Sequence, residues 1–524
     1  MRRFRYSVFL GILFPVQTVF CQIFSPGASM STYVAAAPGV LLEKSGVKIY
    51  NGGFGSDLAV RKSEPGYFYI LTDRGPNVDA TKSSQKVFAV PSFNPQIGKF
   101  RLDADSLRLV AVIGLKDANG RPLTGLPNPE GSGGTGEIPI DLNQKILALD
   151  SLGIDSEGLV AMEDGTFWVS DEYGPHIVHF SAEGKTLERI NPFSSPRSAP
   201  KVLSTRQANH GMEGLTMLPD GVTLVGIMQS PLYNPSKSDV GSSRIVRILS
   251  YNTTTGSTKQ FAYVLENTSN DISAITALDK NTLLVVERDS DMKYGSPKSS
   301  YKNIYKISIA AATDISDPAN KLNGLQFSGK TIEQLNTASG LSGKGIIPVT
   351  KTLLCNVLDY GFLHDKLEGL AVIDNYTLAI SNDDDFGIMT DNNNGVAAKL
   401  IPTSNSSVSF VDRNELSIIK LSSPLTAVSN ETDANSLAGF SLEQNYPNPF
   451  NNSTIIRYHL PSDSYVTLRV FDALGKEIKT LVSEYKVGGE YTASFKTNEQ
   501  ASGVYLCELK VGAARMVNKM ILLK

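Results

Sequence analysis

Acidic residues at a recurring spacing are the side chains of this sequence best suited to chemistry. Glu157, Glu213 and Glu368 each open a Glu-Gly-Leu triplet that leads into an alternating apolar run. Carboxylates brought together in one cleft repel each other unless a cation or a proton intervenes. Their oxygen atoms suit Ca²⁺ or Mg²⁺, and we expect Ca²⁺. We predict that Glu157 and Glu213 are catalytic and that a divalent cation is held by further acids, namely Asp73, Asp171, Glu172, Glu368 and Asp383.

Basic residues and one histidine complete the predicted site. Arg74 and Arg288 are the expected ligands of a substrate phosphate, because a guanidinium group binds phosphate oxygens in pairs. His210, three residues before Glu213, is the expected general acid or base. A purely structural interpretation stays open: Glu-Gly would mark a strand start, its Gly would permit an unusual backbone angle, and the arginines would form salt bridges.

Short hairpins are the elements that must position these residues. After each triplet an apolar alternating run, an Asp-Gly-like turn and a second alternating run predict two antiparallel strands. The copies at Gly158 and Gly214, and a degenerate one at Ala274, are 56 and 60 residues apart, and the next, at Gly369, follows after 95. Radial repetition of such units predicts an all-β β-propeller of six or seven blades. A pair of β-sandwiches is the alternative.

Length, charge and local composition predict how the chain is organised into segments and domains. The 524 residues carry a net charge of −3, which gives no sign of a nucleic-acid partner. A basic start and a short apolar run predict a signal peptide at residues 1–21, and no later run is long enough to span a membrane. We place the propeller at 22–421, a polar linker at 422–438 and a small β-sandwich at 439–524. We expect Cys355 and Cys507 to be buried thiols.

The C-terminal module resembles the sorting domain of type IX secretion cargo. The matching stretches are residues 442–451 (LEQNYPNPFN), residues 470–476 (VFDALGK) and residues 502–506 (SGVYL). The resemblance implies a partner, the type IX secretion machinery, and a chain that is secreted or attached to the cell surface after crossing the outer membrane.

The main body resembles the phytase-like family, which is described as having esterase-like activity. The clearest matching stretch is residues 167–175 (FWVSDEYGP), and residues 71–77 (LTDRGPN) and 209–215 (NHGMEGL) support it. The resemblance implies hydrolysis of phosphoric esters in small extracellular phosphorylated compounds. No Gly-x-Ser-x-Gly motif is present, which argues against a serine esterase. A non-catalytic binding propeller and a lactonase-like, metal-dependent hydrolase are the two alternatives.

Overall fold

A computed structural model describes most of the chain, in the ranges 28–35, 39–134, 136–193, 197–405, 407–426, 441–460, 464–472, 475–497, 500–511 and 514–524. The chain divides into two compact units, residues 1–425 and 426–524. The predicted signal peptide and most of the predicted linker lie outside the described residues. None of the helices in the described ranges has the length and apolar character needed to cross a membrane.

Five four-stranded antiparallel sheets, here called sheets 1 to 5, make up most of the first unit. Apolar alternation and tight turns build each one. Their strands, in hydrogen-bonded order, are Phe54–Ala59, Tyr67–Thr72, Gln96–Leu102 and Leu107–Gly114 in sheet 1; Ser156–Ala161, Phe167–Asp171, His176–Phe180 and Thr186–Ile190 in sheet 2; Met212–Met217, Thr223–Met228, Ile245–Asn252 and Thr258–Val264 in sheet 3; Asp271–Ala277, Thr282–Arg288, Lys302–Ser308 and Thr350–Asn356 in sheet 4; and Leu367–Asp374, Thr377–Asn382, Glu415–Lys420 and Ser29–Val34 in sheet 5.

The first-named strand of each sheet, here called its inner strand, contacts the inner strands of two other sheets. The contacts run from sheet 1 to 2, 2 to 3, 3 to 4, 4 to 5, and from sheet 5 back to sheet 1. Hydrogen bonds reinforce them: Asp57 Oδ2 accepts the Leu159 N–H at 2.7 Å, and Ser381 Oγ donates to the Gly55 carbonyl at 3.2 Å. The five inner strands therefore lie in a cyclic order.

A β-bulge interrupts every inner strand near its start. In sheets 2, 3 and 5 the bulge contains Glu157, Glu213 and Glu368, which have no partner in the register of the neighbouring strand. Sheet 4 has Ser273 at this place and sheet 1 has Ser56. A bulge turns a side chain out of the regular alternation. The predicted equivalence of the three glutamates is confirmed at the level of the backbone.

The four predicted hairpins are confirmed, but the expected number of six or seven blades is not found, because the described residues of the first unit form five four-stranded sheets. The 95-residue interval holds an insertion between Lys302–Ser308 and Thr350–Asn356, not a further sheet. The hairpin that opens sheet 1 was missed as a repeat because Ser56-Asp57 replaces Glu-Gly.

The first unit also contains shorter elements. A three-stranded sheet and four two-stranded ribbons come from the connections between the larger strands, together with two short α-helices and four 3₁₀ turns. The strands are Asn77–Asp79, Gln85–Phe88 and Ile138–Ile140; Val40–Lys44 and Val47–Tyr50; Gln326–Phe327 and Lys330–Thr331; Ile388–Thr390 and Val396–Ala398; and Leu400–Pro402 and Ser409–Val411. The helical elements are Lys201–Thr205, Lys237–Val240, Glu333–Leu335, Ala338–Ser342, Val357–Tyr360 and Asp385–Gly387.

The second unit consists of two antiparallel sheets that share one apolar core. Buried residues of both sheets, including Ile456, Val466, Phe495 and Leu509, form this core. The buried thiols of Cys355 and Cys507 are both free, as expected. The strands are Ser441–Leu442, Ser453–Leu460 and Gly489–Lys496 in one sheet and Glu477–Lys486, Ser464–Asp472, Gly503–Val511 and Ala514–Leu522 in the other.

The glycine of each Glu-Gly pair is required by close approach. A Cβ atom at Gly158 would lie 2.6 Å from the Leu215 nitrogen, and one at Gly214 would lie 2.6 Å from the Ile275 nitrogen. A Cβ atom at Gly369 would lie 2.1 Å from Ser381 Oγ. None of the three has a positive φ, so the expected unusual backbone angle is wrong. These glycines let neighbouring inner strands touch.

Replacing Gly158 with Ala is expected to lower the free energy of unfolding by about 1–3 kcal/mol, because the new methyl group must displace backbone atoms of the next inner strand. Gly241→Ala is the matched control, since its Cβ would meet only the Lys237 carbonyl oxygen at 3.7 Å. The single tryptophan, Trp168, is buried in the same sheet as Gly158, and its fluorescence follows urea unfolding. Equal midpoints for the two variants would show that the contact is unimportant.

Candidate functional site

The starts of the inner strands and the ends of the strands that follow them lie at the same edge of the five sheets. This follows from antiparallel pairing, and it gathers residues from all five sheets around one pocket of about 770 Å³, here called the mouth. Eight of the ten residues predicted for the site line it. They are Asp73, Arg74, Glu157, Glu172, His210, Glu213, Arg288 and Glu368.

Three carboxylates in the mouth lie close enough together to hold one cation. Asp155, Glu157 and Glu172 each offer an oxygen atom within 4.8 Å of the other two, and all three residues are buried. Among the described residues, no lysine or arginine lies at ion-pairing distance from the Glu157 or Glu172 carboxylate. A set of three carboxylates, two of them without a basic partner, fits a hard divalent cation such as Ca²⁺ or Mg²⁺.

Burial governs the titration of this cluster. It raises the pKa of Glu157 and of Glu172 well above the ordinary glutamate range. The negative charges of Glu213 and Asp155 raise the pKa of both groups further. The pKa of Asp73 is raised in the same way, by burial first and then by Asp383 and Asp155. Glu157 and Glu172 therefore hold their protons more strongly than free carboxyl groups wherever no cation neutralises them.

Glu213 and His210 occupy the third-sheet side of the mouth. Gln229 Nε2 donates a hydrogen bond to Glu213 Oε1 at 3.0 Å, and the other oxygen of Glu213 has no hydrogen-bond partner. Burial raises the pKa of Glu213 well above its usual range and lowers that of His210. His210 Nδ1 lies 3.9 Å from Asp271 Oδ1. The two groups are shifted toward opposite roles, with glutamate kept as an acid and histidine kept as a base.

Arg74 is held by acidic partners. Its Nε lies 3.3 Å from Asp155 Oδ2, and its Nη1 lies 3.3 Å from Glu137 Oε1 and 3.0 Å from Asn209 Oδ1. Burial lowers the pKa of Arg74, but Asp155 and its other acidic neighbours raise it more. Its charge is therefore balanced within the site, and it positions one member of the carboxylate cluster.

Arg288 and Lys366 lie on the fourth- and fifth-sheet side of the mouth. Arg288 Nη2 donates to Glu368 Oε1 at 2.8 Å, while its buried Nε has no hydrogen-bond partner. Lys366 Nζ lies 2.7 Å from Asp383 Oδ2 and 2.6 Å from Asp385 Oδ1. Burial raises the pKa of Glu368 to about 7, even though these two cations lower it.

Asp171 and Asp383, predicted as metal ligands, do not line the mouth. Asp171 Oδ2 lies 2.7 Å from His176 Nδ1, and its Oδ1 accepts the backbone N–H of Asp155 at 3.0 Å. Asp383 is engaged by Lys366 in the same supporting manner. Both residues hold a mouth residue in place from behind.

Asp155, Lys366 and Gln229 are mouth residues that the sequence analysis missed. Asp155 and Lys366 each stand two positions before a triplet glutamate. Alternate residues of a strand point to the same side, so this spacing was a usable signal. Gln229 directly follows the second strand of its hairpin, as Arg74 nearly does, and the pairing of Met212 with Met228 places it beside Glu213.

Two family models match the chain. The model of the phytase-like family, described as "Esterase-like activity of phytase", matches residues 49–386, well over half of the sequence. The model of the secretion system C-terminal sorting domain matches residues 444–523. The second match confirms the predicted sorting domain and its interaction with the type IX secretion machinery. The chain is exported and is secreted or located at the cell surface.

Among curated proteins, an uncharacterized secreted protein of Arthroderma benhamiae is 26% identical over 393 residues, which cover 59% of this chain and 71% of the relative. Among solved structures, PorZ, a surface component of the type IX secretion system of Porphyromonas gingivalis, aligns at 12% identity and a TM-score of 0.28, over 90% of this chain and 60% of PorZ. A family 43 arabinoxylan arabinofuranohydrolase of Bacillus subtilis aligns at 10% identity and a TM-score of 0.32, over 90% and 96%. These scores carry no functional inference.

The raised pKa of Glu157 gives a test of the cluster. A carboxyl group with a higher pKa in the folded chain keeps its proton on folding, so stability is full below pH 4.5 and is lost as the pH rises through the folded pKa. With divalent cations chelated, Glu157→Gln is therefore expected to stabilise the protein at pH 8 by on the order of 1 kcal/mol or more, and to have little effect at pH 4.

Thermal unfolding at the two pH values, followed by Trp168 fluorescence, checks this. Glu163→Gln is the control, because the Ser63 hydroxyl lowers the pKa of that exposed carboxylate and its removal brings no gain at high pH. A Glu157→Gln variant that is less stable than the native protein at pH 8 would contradict a buried, unpaired carboxylate at this position.

Proposed function

The chain belongs to the phytase-like family, and we propose that it is an exported, divalent-metal-dependent hydrolase of phosphoric esters in extracellular phosphorylated compounds. The observation that carries the proposal is the cluster of Asp155, Glu157 and Glu172, buried at the mouth with no basic partner for the two glutamates. Hydrolysis forms a P–O bond to water and breaks the P–O bond to the alcohol. The site must therefore take a proton from water and give one to the departing oxygen.

We assign the cation to Asp155, Glu157 and Glu172, with Ca²⁺ as the first candidate because all the ligands are carboxylate oxygens. A divalent cation bound there would polarise a phosphoryl oxygen and lower the pKa of the attacking water. Asp171 and Arg74 fix Asp155 through its backbone N–H and its carboxylate. Supporting contacts of this kind orient metal ligands.

We assign the phosphate oxygens to Arg288, across the mouth from the cluster. Its Nε is a buried donor without a protein partner, and an incoming anion satisfies it. Arg74, with two acidic partners, positions Asp155 instead. We assign His210, whose pKa is lowered by burial, as the base that accepts the proton of water, and Glu213, whose pKa is raised by burial, as the acid that donates to the departing alcohol.

We further propose that the five sheets are the blades of a closed β-propeller and that the mouth is one end of its axis. The cyclic contacts of the inner strands support this. The strand Ser29–Val34 completes sheet 5 beside Glu415–Lys420, so the first and last described strands of the unit close the ring in one sheet.

The principal alternative is a non-catalytic propeller that binds an ion or a small ligand at the mouth. The internal pairing of Arg74 with Asp155 and Glu137 favours it, because that arginine is then not available to a substrate phosphate. Calorimetry with Ca²⁺ alone, alongside activity assays, separates the two: Ca²⁺ binding without hydrolysis of any ester identifies the binding protein.

Glu157→Gln is expected to reduce phosphoric-ester hydrolysis at least 100-fold and to weaken Ca²⁺ binding, because it removes one of three charged ligands. The measurement is turnover of 4-nitrophenyl phosphate and bis(4-nitrophenyl) phosphate by the full chain, with Ca²⁺ or with a chelator. Glu163→Gln, in the turn of the same hairpin, is expected to retain native activity. Activity that survives both chelation and Glu157→Gln would remove the metal mechanism.

A further inference from the structure

One wall of the mouth is apolar. Val78, from the three-stranded sheet, and Ile388, Met389 and Leu400, from two of the ribbons, line the pocket together with its charged residues. Val78 and Ile388 are buried, whereas Met389 is 49% exposed and Leu400 is 48% exposed. Val411, directly across the ribbon from Leu400, is 42% exposed and extends this apolar surface. We call Met389, Leu400 and Val411 the apolar wall.

The charged residues of the mouth offer little to a highly charged ligand. Ten Asp and Glu residues line the mouth against five Lys and Arg residues. Each of the five cations already has an acidic partner. The pairs are Arg74 with Asp155 and Glu137, Lys86 with Asp79, Arg288 with Glu368, Lys366 with Asp383 and Asp385, and Lys399 with Asp365, Asp385 and Asp412.

A compound with several phosphate groups would need a cation for each of them. In the described ranges, only Asp155, Glu157 and Glu172 bring three ligating side chains close enough together to hold a metal ion. One phosphate can be neutralised at that cluster and Arg288, but further phosphates would meet only cations that already have acidic partners. The shortage of free cations in the mouth therefore disfavours polyphosphorylated ligands.

We propose, resting on the hydrolase function above, that the substrates carry one phosphate group and an apolar organic group, with phosphodiesters preferred over monoesters and polyphosphates. The single phosphate lies between the carboxylate cluster and Arg288. The apolar group lies on Met389 and Leu400, whose exposed surface it removes from water. A diester has one negative charge fewer than a monoester at neutral pH, which suits an acidic mouth.

The test compares 4-nitrophenyl phenyl phosphate with 4-nitrophenyl methyl phosphate, using the full chain in the presence of Ca²⁺. Both substrates have the same leaving group and charge and differ only in the apolar substituent. We expect kcat/KM to be five- to tenfold higher for the phenyl ester. Leu400→Ser is expected to reduce this ratio toward one, mainly by raising KM for the phenyl ester. Leu187→Ser, on the outer strand of sheet 2 and 55% exposed, is the control that leaves the ratio unchanged.

A second comparison tests the charge. Inositol monophosphate is expected to be hydrolysed at least tenfold more efficiently than inositol hexakisphosphate, although both esters have the same kind of alcohol. A preference for the hexakisphosphate, or equal rates for phenyl and methyl esters, would overturn this substrate class while leaving the hydrolase intact. No turnover of any of the four esters would overturn the proposed function itself and this inference with it.

Discussion

The close approach of neighbouring inner strands is the constraint on which the rest of the structure depends. Gly158 lies against the Leu215 backbone and Gly214 against the Ile275 backbone, at distances where even a methyl group is excluded. Contact this close leaves no room for a regular side-chain alternation, and the preceding glutamate sits in a bulge. In these two sheets the bulge beside the contact directs Glu157 and Glu213 into the mouth.

Collecting acids by this route has an electrostatic consequence. Burial and mutual repulsion raise the pKa of Glu157, Glu172 and Glu213. Keeping these buried carboxylates ionised costs free energy, and we expect a ligand to offset it. Some buried charges elsewhere in the first unit are paired directly: Arg247 and Glu333, both fully buried, lie 2.6 Å apart. The contrast between that pair and Glu157 and Glu172, which have no basic partner, is the reason why we propose a ligand site in the mouth.

Much of this could be predicted from the sequence, because period-two alternation and Asp-Gly turns specify hairpins locally. Glu157, Glu213 and Glu368 were found for the same reason, since a repeat places equivalent residues at equivalent positions. Features set by contacts between repeats could not be predicted. Ser56 and Ser273 fill the glutamate position in two sheets, so those repeats are weak or invisible, and the insertion within sheet 4 imitates the spacing of an extra blade.

The residues whose roles differ from expectation share one property: each supports another residue of the mouth. Asp171 accepts the N–H of Asp155, Arg74 contacts the Asp155 carboxylate, and Asp383 fixes Lys366. Their types were right for the chemistry, but type and spacing do not distinguish a ligand from the residue that orients it. That distinction depends on which side chains lie within contact distance of each other in the folded chain. Asp155 shows the point best. Two supporting residues, Asp171 and Arg74, contact it, and its position two residues before Glu157 is its only signal in the sequence. A carboxylate fixed from two directions, beside two others with no basic partner, is an arrangement expected where a cation must be held in one geometry.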